Sequence, residues 1–182
     1  MLGHIAMSRL LFALVLVVGI CHVRAEDLEV VSPHQTFNVL QHRENEGVKQ
    51  TLQFLRGPSR VVTLEYAISW PASYYISPDE RWILRIQKSG SGDNVSWLYQ
   101  VETTNQRVWR MEEQLGALGF EYLKKDQSLP HNLYHTGIAF LSWDLAAGEL
   151  HFSIHGSDAD QSGHGLEQRL TYSLRDHLIT SP

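Results

Sequence analysis

Two segments of this 182-residue chain read as one structural unit written twice. The first runs from Ile76-Ser77-Pro78-Asp79-Glu80-Arg81-Trp82 to Ile86, passes a loop over 88–94 and returns along Trp97-Leu98-Tyr99-Gln100-Val101. The second runs from Leu141-Ser142-Trp143-Asp144 through Gly148 to Ile154, passes a loop over 156–165 and returns along Leu170-Thr171-Tyr172-Ser173-Leu174. In each, a turn carrying Ser and Asp leads into a strand, then a loop of small residues, then a return strand with a tyrosine. A repeated unit narrows the choice of fold because each copy needs a neighbour to cover its apolar face. Within the first copy, Trp82, Leu84 and Ile86 alternate with Arg81, Ile83, Arg85 and Gln87. Within the second, Leu150, Phe152 and Ile154 alternate with His151, Ser153 and His155. Period-two alternation places one set on a core face and leaves the other half wet.

The remaining segments fit around that pair. Residues 60–70 alternate over the length of a half-buried strand and stop at Pro71, which cannot donate to a ladder. Residues 26–58 carry only short alternating stretches, read as a leading strand or two and a loop. Between the copies, Met111, Leu115, Leu118 and Tyr122 stand at helical spacing, with Glu112 and Glu113 at the opening and Lys124 and Lys125 at the close. Gly116 and Gly119 interrupt that helix. The fold expected is mainly β, with two antiparallel sheets packed together and one short helix between the repeats, which span about 60–110 and 137–176. Each repeat resembles a β-propeller blade, and two are too few for a ring of about four to eight.

Export is expected from the first residues. Arg9 precedes the apolar run 10–20, and Val23-Arg24-Ala25 offers small residues for cleavage, the pattern of a signal peptide over 1–25. The apolar run is shorter than the roughly 20 residues a membrane span needs, so no span is expected after cleavage. Residues 26–182 are then a single β domain, periplasmic or secreted. The one cysteine, Cys21, falls within the signal, so stability must come from burial without disulfides. Removing Arg9 and Arg24 from the 15 basic residues leaves 13 against 20 acidic ones, a net charge of −7. That balance excludes nucleic acid as a partner and favours a basic protein.

The candidate contacts lie in the two loops. Ser89, Gly90, Ser91, Gly92 and Asp93 form a small, mobile-looking backbone rich in amides and hydroxyls, suited to entering a polar cleft in another macromolecule. A plain hairpin connection is the alternative. Asp158 and Asp160 in the second loop, followed by Ser162 and Gly163, match the first half of a calcium loop, but Arg169 stands where a bidentate Glu must close it. A solvated partner-binding loop is the reading taken, with no metal. His131 and His135, and His151 and His155, are paired at intervals of four without the cysteine or the Glu a zinc site would add. There is no Gly-x-Ser-x-Gly elbow, no thiol nucleophile and no nucleotide loop, so neither an enzyme nor a cofactor is expected.

Two resemblances rest on these residues. The Ile76-Ser77-Pro78-Asp79 to Trp82 run looks like the blade motif of exported propeller repeats. The chain as a whole is similar to the periplasmic inhibitors of invertebrate-type lysozyme, in which a Ser-Gly-rich loop followed by a tyrosine plugs the lysozyme cleft. Ser89, Gly90, Ser91, Gly92 and Tyr99 are the matching positions. The resemblance implies a protein partner, such as a basic lysozyme, and inhibition by loop insertion. The other class is a protein- or glycan-binding scaffold of the cell envelope. Open sheet edges would also allow a homodimer.

Overall fold

The structure is a computed structural model describing residues 28–45, 47–67, 70–126, 129–130, 132–160 and 165–181. The expected signal peptide with Cys21, as well as His131, Ser162 and Gly163, lies outside the described residues. The chain is mainly β, built from three open, four-stranded antiparallel sheets. The first holds β1 (Leu28–Val31), β2 (Phe37–Glu44), β3 (Gly47–Phe54) and β4 (Arg60–Ala67), the second β5 (Ala72–Ile76), β6 (Trp82–Lys88), β7 (Asn94–Glu102) and β8 (Arg107–Arg110). The third holds β9 (Leu133–Asp144), β10 (Glu149–Asp158), β11 (Gly165–Ser173) and β12 (Ile179–Thr180). The two repeats of the sequence are the second and third sheets, and one more sheet precedes them. The strand at 60–67 therefore opens no repeat, since it pairs with β3 and closes the first sheet.

The first sheet carries the same opening turn as the second. Ser32 and Ser77 each receive a main-chain hydrogen bond at their carbonyl from the residue three positions on, Gln35 and Glu80, at 2.9 Å in both turns. Both of those residues are left-handed, with φ of 54° and 59°. The two serine amides donate five residues ahead, to the carbonyls of Phe37 and Trp82, and the serine hydroxyls accept from the amides of those same residues. Ser-Pro fixes this turn, because the hydroxyl satisfies an amide that the turn would otherwise leave unpaired.

Successive sheets pack face to face. Ile83 and Tyr99 of the second sheet join Phe37, Val39, Leu52 and Phe54 of the first in one core. Trp82, Leu84 and Leu98 point the other way and join Leu150, Phe152 and Ile154 of the third in another. The middle sheet is thus covered on both faces, and the half-wet face expected for β6 is corrected: Ile83, Arg85 and Gln87 are buried against the first sheet. Those polar groups are tolerated because they are paired. Gln50 Oε1 accepts from Tyr74 OH and Arg85 Nε, each at 2.5 Å, while Gln87 Oε1 accepts from Gln50 Nε2 and Arg85 Nη2, each at 2.8 Å. Burial pushes the Tyr74 phenol well above its ordinary range, and the Arg85 charge draws it back only in part.

The helix α1 (Leu115–Asp126) bridges the second and third sheets, with Leu115 and Leu123 in their shared core. It begins after Glu112 and Glu113, so its first turn holds no acidic residue, while Lys124 and Lys125 do occupy its last turn. Its glycines are points of close approach. Gly116 donates to Ser96 Oγ at 2.9 Å, and a Cβ on Gly119 would stand 2.3 Å from Ile154 Cδ1.

An up-and-down sheet puts its first and third turns at one end and its second turn at the other. Contacts align these ends across the molecule. At one end, the left-handed Glu80 reaches from the second sheet to accept from the His34 amide and the Thr36 hydroxyl of the first, and Gln106 Nε2 donates to Arg56 O at 2.7 Å. We call this the motif end. The opposite end carries the Ser/Gly loop, and we call it the loop end.

Candidate functional site

The loop end is assembled by β6, β7 and the start of β9. In the hairpin, Ser89 N donates to Asp93 O and Gly92 N to Gly90 O, both at 3.0 Å. Gly92 has φ +100°, and a Cβ there would meet the His135 ring at 2.6 Å, so glycine is required on both counts. Asp93 Oδ1 then accepts from Thr136 N at 2.7 Å and from Thr136 Oγ1 at 3.3 Å. Asn94 completes the attachment, accepting from Ile138 N at 3.0 Å and donating to Ile138 O at 3.1 Å, in space that a side chain at Gly137 would fill. The backbone read from sequence as mobile is therefore fastened to the third sheet by four hydrogen bonds through Asp93 and Asn94. Ser89 and Ser91 remain exposed on it.

The second loop is fastened to the same segment. Asn132 Nδ2 donates to both carboxylate oxygens of Asp160, at 2.8 and 3.0 Å, and Ala159 N donates to Asn132 O at 3.0 Å. Asp158 Oδ1 accepts from Asp160 N at 2.9 Å. Residues 132–136 thus hold 89–93 on one side and 158–160 on the other. Beside them Tyr134 is 46% exposed, its ring 4.4 Å from that of His135, which is itself left-handed at φ 51°. Five of the candidate residues, Ser89 to Asp93, and the pair Asp158 and Asp160 are gathered at one end around Asn132, Tyr134, His135 and Thr136, of which the sequence pattern singles out only His135, as half of a histidine pair. The signal available was the aromatic pair Tyr134-His135 opening the strand ahead of the apolar run 138–141.

Tyr99 is corrected. It is 2% exposed in the core between the first and second sheets, because strand alternation turns it with Val101 toward β3 while Leu98 faces the third sheet. Its hydroxyl makes no hydrogen bond of normal geometry. Burial pushes its phenol up, more than the nearby Arg85 charge pulls it down. A residue so placed cannot touch a partner's cleft.

Among the described residues no group of three or more His, Cys, Asp or Glu side chains converges as a metal site would. His151 is occupied by Thr171, Nδ1 to Oγ1 at 3.0 Å, with Glu149 at 3.6 Å from its other ring nitrogen. Asp160, half of the calcium-like pattern, spends both oxygens on Asn132. No helix among the described residues is long and apolar enough to cross a membrane.

No family model matches the chain, and no curated protein sequence matches it. Among solved structures, TolB from Acinetobacter baumannii is similar over 86% of this chain and 32% of its own length, at 14% identity and a TM-score of 0.40. The chain spans about a third of the length of that structure.

Proposed function

We propose that the chain is a non-enzymatic, exported module that binds a protein partner through its loop end and inhibits a lysozyme by occupying its active cleft. The observation that carries this reading is the fastening of two loops to the single segment 132–136, which leaves Ser89, Ser91 and Tyr134 exposed at the same end of the molecule. A loop already held in place loses less entropy on docking than a free one, which favours affinity. An exposed tyrosine supplies the kind of anchor on which binding energy concentrates. The net charge of −5 for the whole chain, or −7 after loss of the first 25 residues, steers it toward a basic protein such as a lysozyme. The apolar run at 10–20 after Arg9 supports export.

The experiment is a cell-wall clearing assay with invertebrate-, chicken- and goose-type lysozymes at low and moderate salt, using the chain without its first 25 residues. The expected result is inhibition of the invertebrate type that weakens with salt. Ser89→Trp with Ser91→Trp abolishes it and Tyr134→Ala weakens it at least about tenfold, with circular dichroism unchanged. Inhibition that survives the double tryptophan substitution would remove the loop from the mechanism. Absence of inhibition in all three assays would leave a scaffold reading.

A further inference from the structure

At the motif end, opposite the loops, an open cleft of about 620 Å³ runs between the 77–81 turn and the hairpin that follows β7, with Trp109 of β8 on its wall. A second cleft of about 530 Å³ adjoins it at Thr103 and Thr104 and continues along Arg56 and Gln106 toward the first sheet. Trp109 is 44% exposed. Among the described residues, Trp97 has Arg110 stacked over its ring at 4.2 Å and Trp70 has Lys88 at 5.4 Å, whereas no cation or ring covers Trp109. We propose that this groove binds an uncharged oligosaccharide, with one sugar ring stacked on Trp109.

Four features select that ligand. A bare indole face beside polar groups matches the apolar face and hydroxyl rim of a pyranose. Hydroxyls and amides share the walls with a few charged side chains, from Gln100, Thr103 and Thr104 in the first cleft to Thr36 and Gln106 in the second. Such groups exchange hydrogen bonds with sugar hydroxyls but give no apolar socket for a peptide side chain. The turn's own main-chain groups are already spent, with Val101 N donating to Arg81 O at 2.8 Å and Glu80 N to Ser77 O at 2.9 Å, so an extended peptide finds no ladder to join along the 77–81 wall. The charges along the first cleft are the Asp79 and Glu102 carboxylates and the Arg81 guanidinium, the Glu80 carboxylate being turned to His34 and Thr36. Charged groups of both signs strengthen hydrogen bonds to neutral hydroxyls, and with Arg56 on the second cleft neither sign is in excess to select a charged glycan. Each cleft lies within the roughly 300–1,000 Å³ of ordinary ligand sites.

The test is calorimetric titration, with tryptophan emission as a second readout, of the chain lacking its first 25 residues against the N-acetylglucosamine tetramer, cellotetraose and maltotetraose. Saturable binding of at least one is expected. Trp109→Ala should weaken it at least about tenfold, and Arg81→Ala less, while Trp70→Ala leaves it unchanged. Trp109 and Arg81 are exposed side chains, so circular dichroism and melting should be those of the parent. No saturable binding of any of the three, or binding that Trp109→Ala leaves intact, overturns the proposal. Binding of hexalysine in their place would overturn it in favour of a basic peptide. Because the groove and the loops lie at opposite ends, Ser89→Trp with Ser91→Trp should spare saccharide binding even where it abolishes inhibition.

Discussion

Glu80 is held by backbone, burial and hydrogen bonds at once. It is left-handed, 3% exposed, and spends its carboxylate on the neighbouring sheet. Burial pushes its acidity down, but the hydrogen bonds it accepts from Ser32, Thr36 and the His34 amide outweigh that, so its pKa lies below the ordinary value. A carboxylate depressed in the folded state stabilises fully above its unfolded value of about 4.3 and loses that contribution as pH falls through its lower folded value. Glu80→Gln is therefore expected to lower stability by about 1–3 kcal/mol near neutrality. The gap between parent and variant should close on acidification below about pH 4, as read by urea melts across pH. A gap that widens in acid would mean that the carboxylate does not hold the sheets. The turn carrying Glu80 was legible in its second copy and overlooked in its first. Ser32-Pro33-His34-Gln35 and Ser77-Pro78-Asp79-Glu80 share only the Ser-Pro pair by chemistry, while their deeper likeness is a backbone angle at Gln35 and Glu80, which no side-chain pattern announces. Tyr99 was misplaced for the opposite reason. Alternation from Leu98 puts it on a buried face, but the loop upstream drew it toward the surface in the reading.

At the scale of elements, strands at 60–67 and 82–88 follow from alternation, and the helix from its spacing. What alternation cannot supply is where the register slips, as it does between Gln50 and Thr51, His151 and Phe152, and His155 and Ser157. Those shifts are set by the partner strand, and one of them accompanies the left-handed His135 beside the loop end. The glycines of α1 show the same dependence on neighbours. From propensity alone they weaken a helix, yet here they let it lie close on the sheets. Gly119→Ala puts a Cβ against Ile154 and Leu170 in a closed core and is expected to cost about 1–3 kcal/mol despite its better helix propensity. Gly116→Ala, with its nearest contact at 3.3 Å, should cost less than Gly119→Ala. Thermal melts of both variants decide the matter, and a stabilised Gly119→Ala would mean the helix stands off the third sheet.

For the whole molecule, the decisive arrangement is that adjacent residues of one strand serve different cores. Ile83 packs toward the first sheet and Leu84 toward the third, both fully buried. If the three sheets fold as a unit, Ile83→Ala and Leu84→Ala each cost about 2–5 kcal/mol and shift the same single transition. Two transitions, one moved by each variant, would instead mark the sheets as independent. Two packed sheets and a helix are legible in the sequence because those copies advertise themselves by alternating apolar residues. The enclosure of β6 on both sides is not written in its own residues, because Arg85 and Gln87 look like surface residues until Gln50 of β3 arrives to pair with both.

That dependence also has a direction in time. A chain is made from its N-terminus, at about 5–20 residues per second, so the first sheet is complete before β6 and β7 exist. Until they follow, Phe37, Val39, Leu52 and Phe54 have nothing to lie against, and Gln50 has no Arg85 to satisfy it. The earliest part of the molecule to be synthesised is thus obliged to wait for the middle, and the seconds before residue 101 emerges are when a nascent chain of this design most needs a holding partner.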